Sequence, residues 1–320
     1  MSRVAALLAA ALLFGGVVGC GGDGAEPGAP SGATLVLDFT PNAVHSGIYA
    51  AQRRGFYRDA GIDLTIRQPG DSTDAPKLLE VGRADFAILD IHDLGIAAQQ
   101  DLELVGIMPL AQRPLASLIA RRDGSVRRPR DLEGRTAGVT GLPSDEAVLD
   151  SEVSADGGDP ARVKRVTIGF NAVSSLAAGK VDAATGFWNA EGVALRREGV
   201  PVRIFKLDSY GAPAYPELIL VTSRRTLERK PDLAAAMVDA TSAGYRFTVD
   251  HPAQALDDLL SSVPGLDRGD QRAQLVSLLP ILSPAPFDYP VLRRWGRWDV
   301  EYGLLQHKPA IGSLFQVPGG

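Results

Sequence analysis

From residue 34 onward, short runs of apolar and β-branched residues alternate with segments whose apolar positions recur every three to four residues. The first run, 34–39, is closed by Thr40-Pro41-Asn42, and a helix follows over about 45–54, stopped by Gly55 at the left-handed position. Strands are predicted at 62–66, 85–89, 103–108 and 115–120, with helices ending near Val81-Gly82 and spanning 91–99. Alternation of this kind argues an α/β sandwich whose strands are buried on both faces.

A polar break from Arg121 to Arg130 interrupts the rhythm. Strands then resume at 135–139, 163–168, 182–187 and 202–205, with helices at 143–153, 172–178 and 191–198, so a second domain is expected from about residue 121. After a last strand at 217–222 only helices are predicted, at 231–249, 252–260, 267–279 and 289–305. The segment Leu79-Glu80-Val81-Gly82-Arg83-Ala84-Asp85 is echoed by Ala177-Ala178-Gly179-Lys180-Val181-Asp182, a helix end, a glycine stop, a basic residue and a strand start. Ligands of open α/β sheets sit beyond the carboxyl ends of the strands, which places Asp90 from one unit and Phe187-Trp188-Asn189 from the other at a shared crevice.

The amino terminus is of another kind. Met1-Ser2-Arg3 precedes an apolar run over 4–18, shorter than the about 20 residues a membrane span needs. It ends in Val17-Val18-Gly19-Cys20, which resembles a bacterial lipobox, so 1–19 is expected to be a signal peptide and Cys20 the site of lipidation. Residues 21–32 contain only Gly, Ala, Pro, Ser, Asp and Glu, a composition that reads as a flexible tether.

Composition narrows the chemistry. The 320 residues are 45% hydrophobic, and the formal charge of −5 with interspersed signs leaves no basic footprint for nucleic acid. One cysteine excludes an intramolecular disulfide and cysteine-rich metal or iron–sulfur sites. Gly179-Lys180 runs into Val181 and completes no phosphate loop, the four histidines form no H-E-x-x-H pair, and no G-x-S-x-G elbow occurs. No metal, no cofactor and no catalytic residue is expected, which leaves binding.

The stretch Leu37-Asp38-Phe39-Thr40-Pro41-Asn42-Ala43-Val44-His45-Ser46-Gly47-Ile48-Tyr49-Ala50-Ala51 resembles the L-D-[WF]-x-P-N-x-x-H-x-G-x-Y-x-A signature of the thiamine-pyrimidine-precursor-binding family. The similarity continues through Gly55-Phe56-Tyr57, 82–88, Asp131-Leu132-Glu133-Gly134, Asn171-Ala172-Val173 and Phe187-Trp188-Asn189-Ala190-Glu191-Gly192, and weakens beyond residue 222. The resemblance implies a periplasmic-binding-protein-like clamp of type II, two α/β lobes with a ligand cleft between them. The chain would divide into a signal peptide over 1–19, a lipidated tether over 20–33, lobe 1 over 34–120 and 223–320, and lobe 2 over 121–222. It further implies a solute-binding lipoprotein outside the cytoplasm, held to the cell membrane by its lipid, monomeric, serving an ABC permease and its ATPase.

An aminopyrimidine is flat and carries ring-nitrogen acceptors and an amino donor, so it wants aromatic faces and a carboxylate or amide edge. Phe39, Trp188 and Tyr210 are the aromatic candidates, and Asp38, Asn42, Asp90, Asn189 and Glu191 the polar ones, with His45 added by the motif. Each has a structural alternative. Asp38 and Asn42 suit turn and helix caps, Glu191 a first helical turn, Trp188 a core, and Tyr210 a loop packed on the hinge. Thr140-Gly141-Leu142-Pro143-Ser144 reads either as an anion-binding or as an ordinary helix start. A riboflavin-type heterocycle remains open, as does a sulfonate, although a sulfonate would want arginines. A tethered sensor would use the same cleft. The fungal pyrimidine synthase has a similar fold and consumes the histidine matching His45, but it also carries a cysteine-rich motif that this chain lacks.

Overall fold

A computed structural model describes residues 31–70, 74–282 and 284–319. Cys20, the expected signal peptide and the tether up to residue 30 lie outside the described residues. The first unit runs β1 (Ser31–Val36), α1 (Ser46–Arg53), α2 (Phe56–Asp59), β2 (Ile62–Arg67), α3 (Asp74–Glu80), β3 (Phe86–Asp90), α4 (Ile91–Gln99) and β4 (Leu104–Pro109). The second runs β5 (Ala116–Arg121), β6 (Thr136–Val139), α5 (Pro143–Ala155), β7 (Lys164–Thr167), α6 (Ala172–Ala177), β8 (Ala183–Phe187), α7 (Glu191–Arg197) and β9 (Val202–Lys206). The chain then returns through β10 (Leu218–Ser223) and α8 (Arg224–Arg229), α9 (Pro231–Asp250), α10 (Pro252–Ser262), α11 (Arg268–Leu278), α12 (Tyr289–Glu301) and α13 (Ile311–Leu314).

Two five-stranded sheets result, in the orders β2-β1-β3-β10-β4 and β7-β6-β8-β5-β9. In each, four strands run in one direction and the fifth, β10 or β5, enters antiparallel from the other lobe. The sequence echo marks equivalent places in the two sheets. Asp85 accepts the backbone N–H of Thr34 at 3.0 Å, and Asp182 accepts that of Thr136 at 2.9 Å, so one carboxylate registers the third parallel strand against the first in both lobes. Gly82 and Gly179, at φ of +70° and +65°, end the preceding helices where a side chain would be strained.

Sheet membership moves both lobe boundaries expected from sequence, at 120/121 and 222/223. β5 belongs to the second sheet and β10 to the first, so the crossovers lie between β4 and β5 and between β9 and β10. The reason is that the polar break at Arg121 is a surface loop, whereas the true crossovers carry buried Leu110, Ala111, Leu115 and Tyr215. β1 also begins earlier than expected, because Ser31 to Ala33 pair with Ile62 to Leu64 inside the span assigned to the tether.

The helices after β10 cover the first sheet, α9 and α10 packing on α1. α1 and α9 cross at two glycines: a Cβ on Gly244 would stand 2.1 Å from the Gly47 carbonyl oxygen and 2.7 Å from Ala51 Cβ. Gly244→Ala is therefore expected to cost about 3 kcal/mol, the upper range for overpacking, read as a fall in denaturant midpoint. A loss under about 0.5 kcal/mol would mean that the two helices slide apart freely.

Candidate functional site

The carboxyl ends of the parallel strands in both sheets face one another across the crossovers. In the first lobe, β1 opens into Leu37 to Asn42 and then a 3-10 turn, Ala43–His45. Asn42 caps that turn, its Oδ1 accepting from Val44 N–H at 3.0 Å while its own N–H donates to His45 Nδ1 at 3.2 Å. With Nδ1 an acceptor, the ring proton sits on Nε2 and is donated to Asp38 Oδ1 at 2.7 Å. His45 is fully buried with both nitrogens engaged. Asn42 and His45 thus build the turn that presents Asp38 and Phe39. Phe39 is exposed, and its ring centroid lies 5.6 Å from that of exposed Phe170, which follows β7 in the other lobe. The sequence reading did not name Phe170; its signal was an aromatic residue just past a strand end.

In the second lobe, β8 ends in Phe187-Trp188-Asn189. Glu191, in the first turn of α7, accepts the Phe187 N–H at 2.8 Å, and burial pushes its carboxyl above the usual range. Asn189 is 2% exposed, and its Oδ1 has no hydrogen-bond partner among the described residues. Trp188 is 6% exposed and gripped by the crossover: its Nε1 donates to Pro114 O at 2.9 Å, and Lys206 Nζ stands 3.7 Å above its ring. Its indole is a hinge clamp. Thr140 N–H donates to Asp145 Oδ2 at 2.7 Å, so an acid of the first turn of α5 holds the loop that leads into the helix.

Two expected residues go elsewhere. Tyr210, after β9, meets Phe205 edge-on at 6.0 Å, and its neighbour Gly211 lies against Ala155 at the carboxyl end of α5. Asp90 caps α4, accepting from His92 N–H at 2.8 Å, and joins a hinge network. Burial, then the charge of Glu217, holds Asp90 well above the usual carboxylate range, so that it shares its proton with Glu217. Buried Glu217 also accepts from the N–H groups of Leu115 and Ala116, tying one crossover to the other. His92 bonds Asp299 through Nδ1 and the Tyr215 hydroxyl through Nε2, each at 2.9 Å. Asp90, His92 and Glu217 stand close enough to hold a cation, but both His92 nitrogens are already committed.

A third wall comes from the carboxyl-terminal helices. α11 packs on both the Ala43–His45 turn and α7 of the other lobe, where Arg197 pairs with Asp267 and Asp270. Its inner face carries buried Gln271 and Gln274.

Residues 42–255 match the family model described as NMT1/THI5 like, which spans well over half of the chain. The chain belongs to the NMT1/THI5-like family. It is 32% identical over 229 residues to the formylaminopyrimidine-binding protein of Halalkalibacterium halodurans, covering 71% of this chain and 69% of that protein. It is 28% identical to the 4-amino-5-hydroxymethyl-2-methylpyrimidine phosphate synthase of Legionella pneumophila, covering 79% of this chain and 80% of that protein. Among solved structures, the periplasmic aliphatic sulphonate binding protein SsuA from Escherichia coli superposes with a TM-score of 0.76 at 15% identity, covering 91% of this chain and 93% of that one. That likeness fixes the fold as the two-lobe clamp of periplasmic solute-binding proteins. The NMT1/THI5-like match takes in the His45 turn, β8 and α7 but stops before α11.

Proposed function

We propose that this protein is the extracytoplasmic solute-binding lipoprotein of an ABC importer and captures a thiamine pyrimidine precursor of the formylaminomethyl or hydroxymethyl type. The observation that carries the reading is the character of the cleft. Its carboxylates, Asp38 and Glu191, are acceptors, as is Asn189 Oδ1, which has no hydrogen-bond partner among the described residues, and its exposed apolar groups are the rings of Phe39 and Phe170. A flat ring bearing an amino group satisfies both kinds of group, whereas a sulfonate offers only acceptors to acceptors.

Capture rather than catalysis is favoured by His45. The synthase-like reading would consume this side chain, and here it is buried, hydrogen-bonded through both nitrogens and occupied in shaping a turn. The single cysteine, Cys20, is assigned to the lipid that tethers the monomer beside its permease and ATPase. Closure of the two lobes on the ligand then couples binding to recognition by the permease.

Calorimetric titration of the mature chain with formylaminomethyl- and hydroxymethyl-aminopyrimidine is expected to give micromolar or tighter binding, with none for an alkanesulfonate. Silence with both pyrimidines would sink the ligand assignment.

A further inference from the structure

The third wall of the cleft, α11, lies beyond the residues that the family model matches, and it is polar where a packed helix should be apolar. On α11, residues 271, 274, 275 and 278 recur at helical spacing and are all buried, with Leu275 and Leu278 in the core beside Ala43, Val44 and Trp188. The two positions nearest the amino end of that face are glutamines, Gln271 at 6% and Gln274 at 9% exposure. Neither Oε1 has a hydrogen-bond partner among the described residues. Gln274 stands one turn beyond Asp270, which pairs with Arg197 of α7, so the two amides lie where α11 passes from its own lobe to the other. Asn189, two residues before α7, carries the third buried amide oxygen without a partner among the described residues, at the start of the helix of the other lobe on which α11 packs.

Three buried amide oxygens without donors are costly unless something supplies N–H groups to them. Water or protein would normally do so within a core, and apolar residues would serve better if the face were only structural. We propose that Gln271 and Gln274, together with Asn189, form an acceptor edge of the ligand cleft that reads the exocyclic amino group of the bound heterocycle. The inference rests on the pyrimidine-binding reading above and gives the selection of the amino group to a helix beyond the residues that the family model matches. A ligand without that group leaves the acceptors unsatisfied and is rejected, which is the more discriminating way to read a polar substituent.

The test uses the mature chain and the near-isosteric variants Gln271→Met and Gln274→Met, singly and together. Each is titrated with the hydroxymethyl-aminopyrimidine and with its desamino counterpart, and each is melted without ligand. Wild-type protein is expected to prefer the amino compound by about tenfold or more, and the double variant to lose most of that preference while melting at or above the wild-type temperature. The preference is a ratio measured on one folded sample, so a partly destabilised variant still reports on it. An unchanged preference, with wild-type protein binding the amino compound, overturns the role of α11 alone. Wild-type silence toward the amino compound overturns the ligand reading and this inference with it.

Discussion

Glu217→Ala is expected to lower stability by about 3–5 kcal/mol, among the largest effects of any single substitution at the hinge. Three losses coincide. The N–H groups of Leu115 and Ala116 lose the carboxylate oxygen that satisfies them, Asp90 loses the partner with which it shares a proton, and a buried volume is left unfilled. Burial raises the Glu217 carboxyl overall, although its hydrogen bonds from Asp90 and from the two backbone groups lower it, and burial with the Glu217 charge raises Asp90, so the two acids titrate as a pair. Glu217→Gln keeps an oxygen for the backbone donors and the shape of the side chain, and is expected to cost only about 1–2 kcal/mol. Denaturant midpoints of the two variants, taken without ligand, check the ordering. Equal and small losses would show that the crossovers are held by apolar packing around Tyr215 and Leu115, with the buried acid dispensable.

That network also explains what could be read from sequence and what could not. Strand and helix positions were legible because the inner strands of both sheets are buried on two faces and the helices end at glycines such as Gly55 and Gly82, so local chemistry and fold agree. Asp85 and Asp182 recur in the echo because the same backbone N–H needs the same acceptor in each lobe. The hinge was misplaced because its segments are as apolar as strands, and only pairing in space reveals that β5 and β10 change lobes. Within the site, the motif from Asp38 to His45 announced a built turn. Which of its members face outward depended on hydrogen bonds: Asn42 and His45 spend theirs within the turn, on each other, on Val44 and on Asp38, and Phe39 is left exposed. Gln271 and Gln274 carried no signal at all. Glutamine is at home on any helix face, and only the contact of α11 with two lobes makes these two buried.

Trp188→Ala is the second large effect, and it is expected in stability before affinity. A tryptophan lining an open cleft could be truncated with little loss of fold, but this indole is 6% exposed and packed in the core that holds Leu115, Leu275 and Ile281. Truncation removes that area, leaves the Pro114 carbonyl without its donor, and strips Lys206 of the ring beneath its ammonium group, for about 3–5 kcal/mol in all. Burial already holds the Lys206 ammonium below its ordinary pKa, so losing the ring removes a favourable contact from a partly desolvated charge. Trp188→Phe separates the contributions, since it retains a ring for Lys206 and most of the packing but loses the indole N–H, and is expected to cost about 1–2 kcal/mol. Denaturant midpoints without ligand, followed by titration of whichever variants remain folded, give the answer. A loss below about 1 kcal/mol for the alanine variant, accompanied by a tenfold or greater fall in affinity, would move Trp188 from the hinge to the ligand and make it the stacking face of the second lobe.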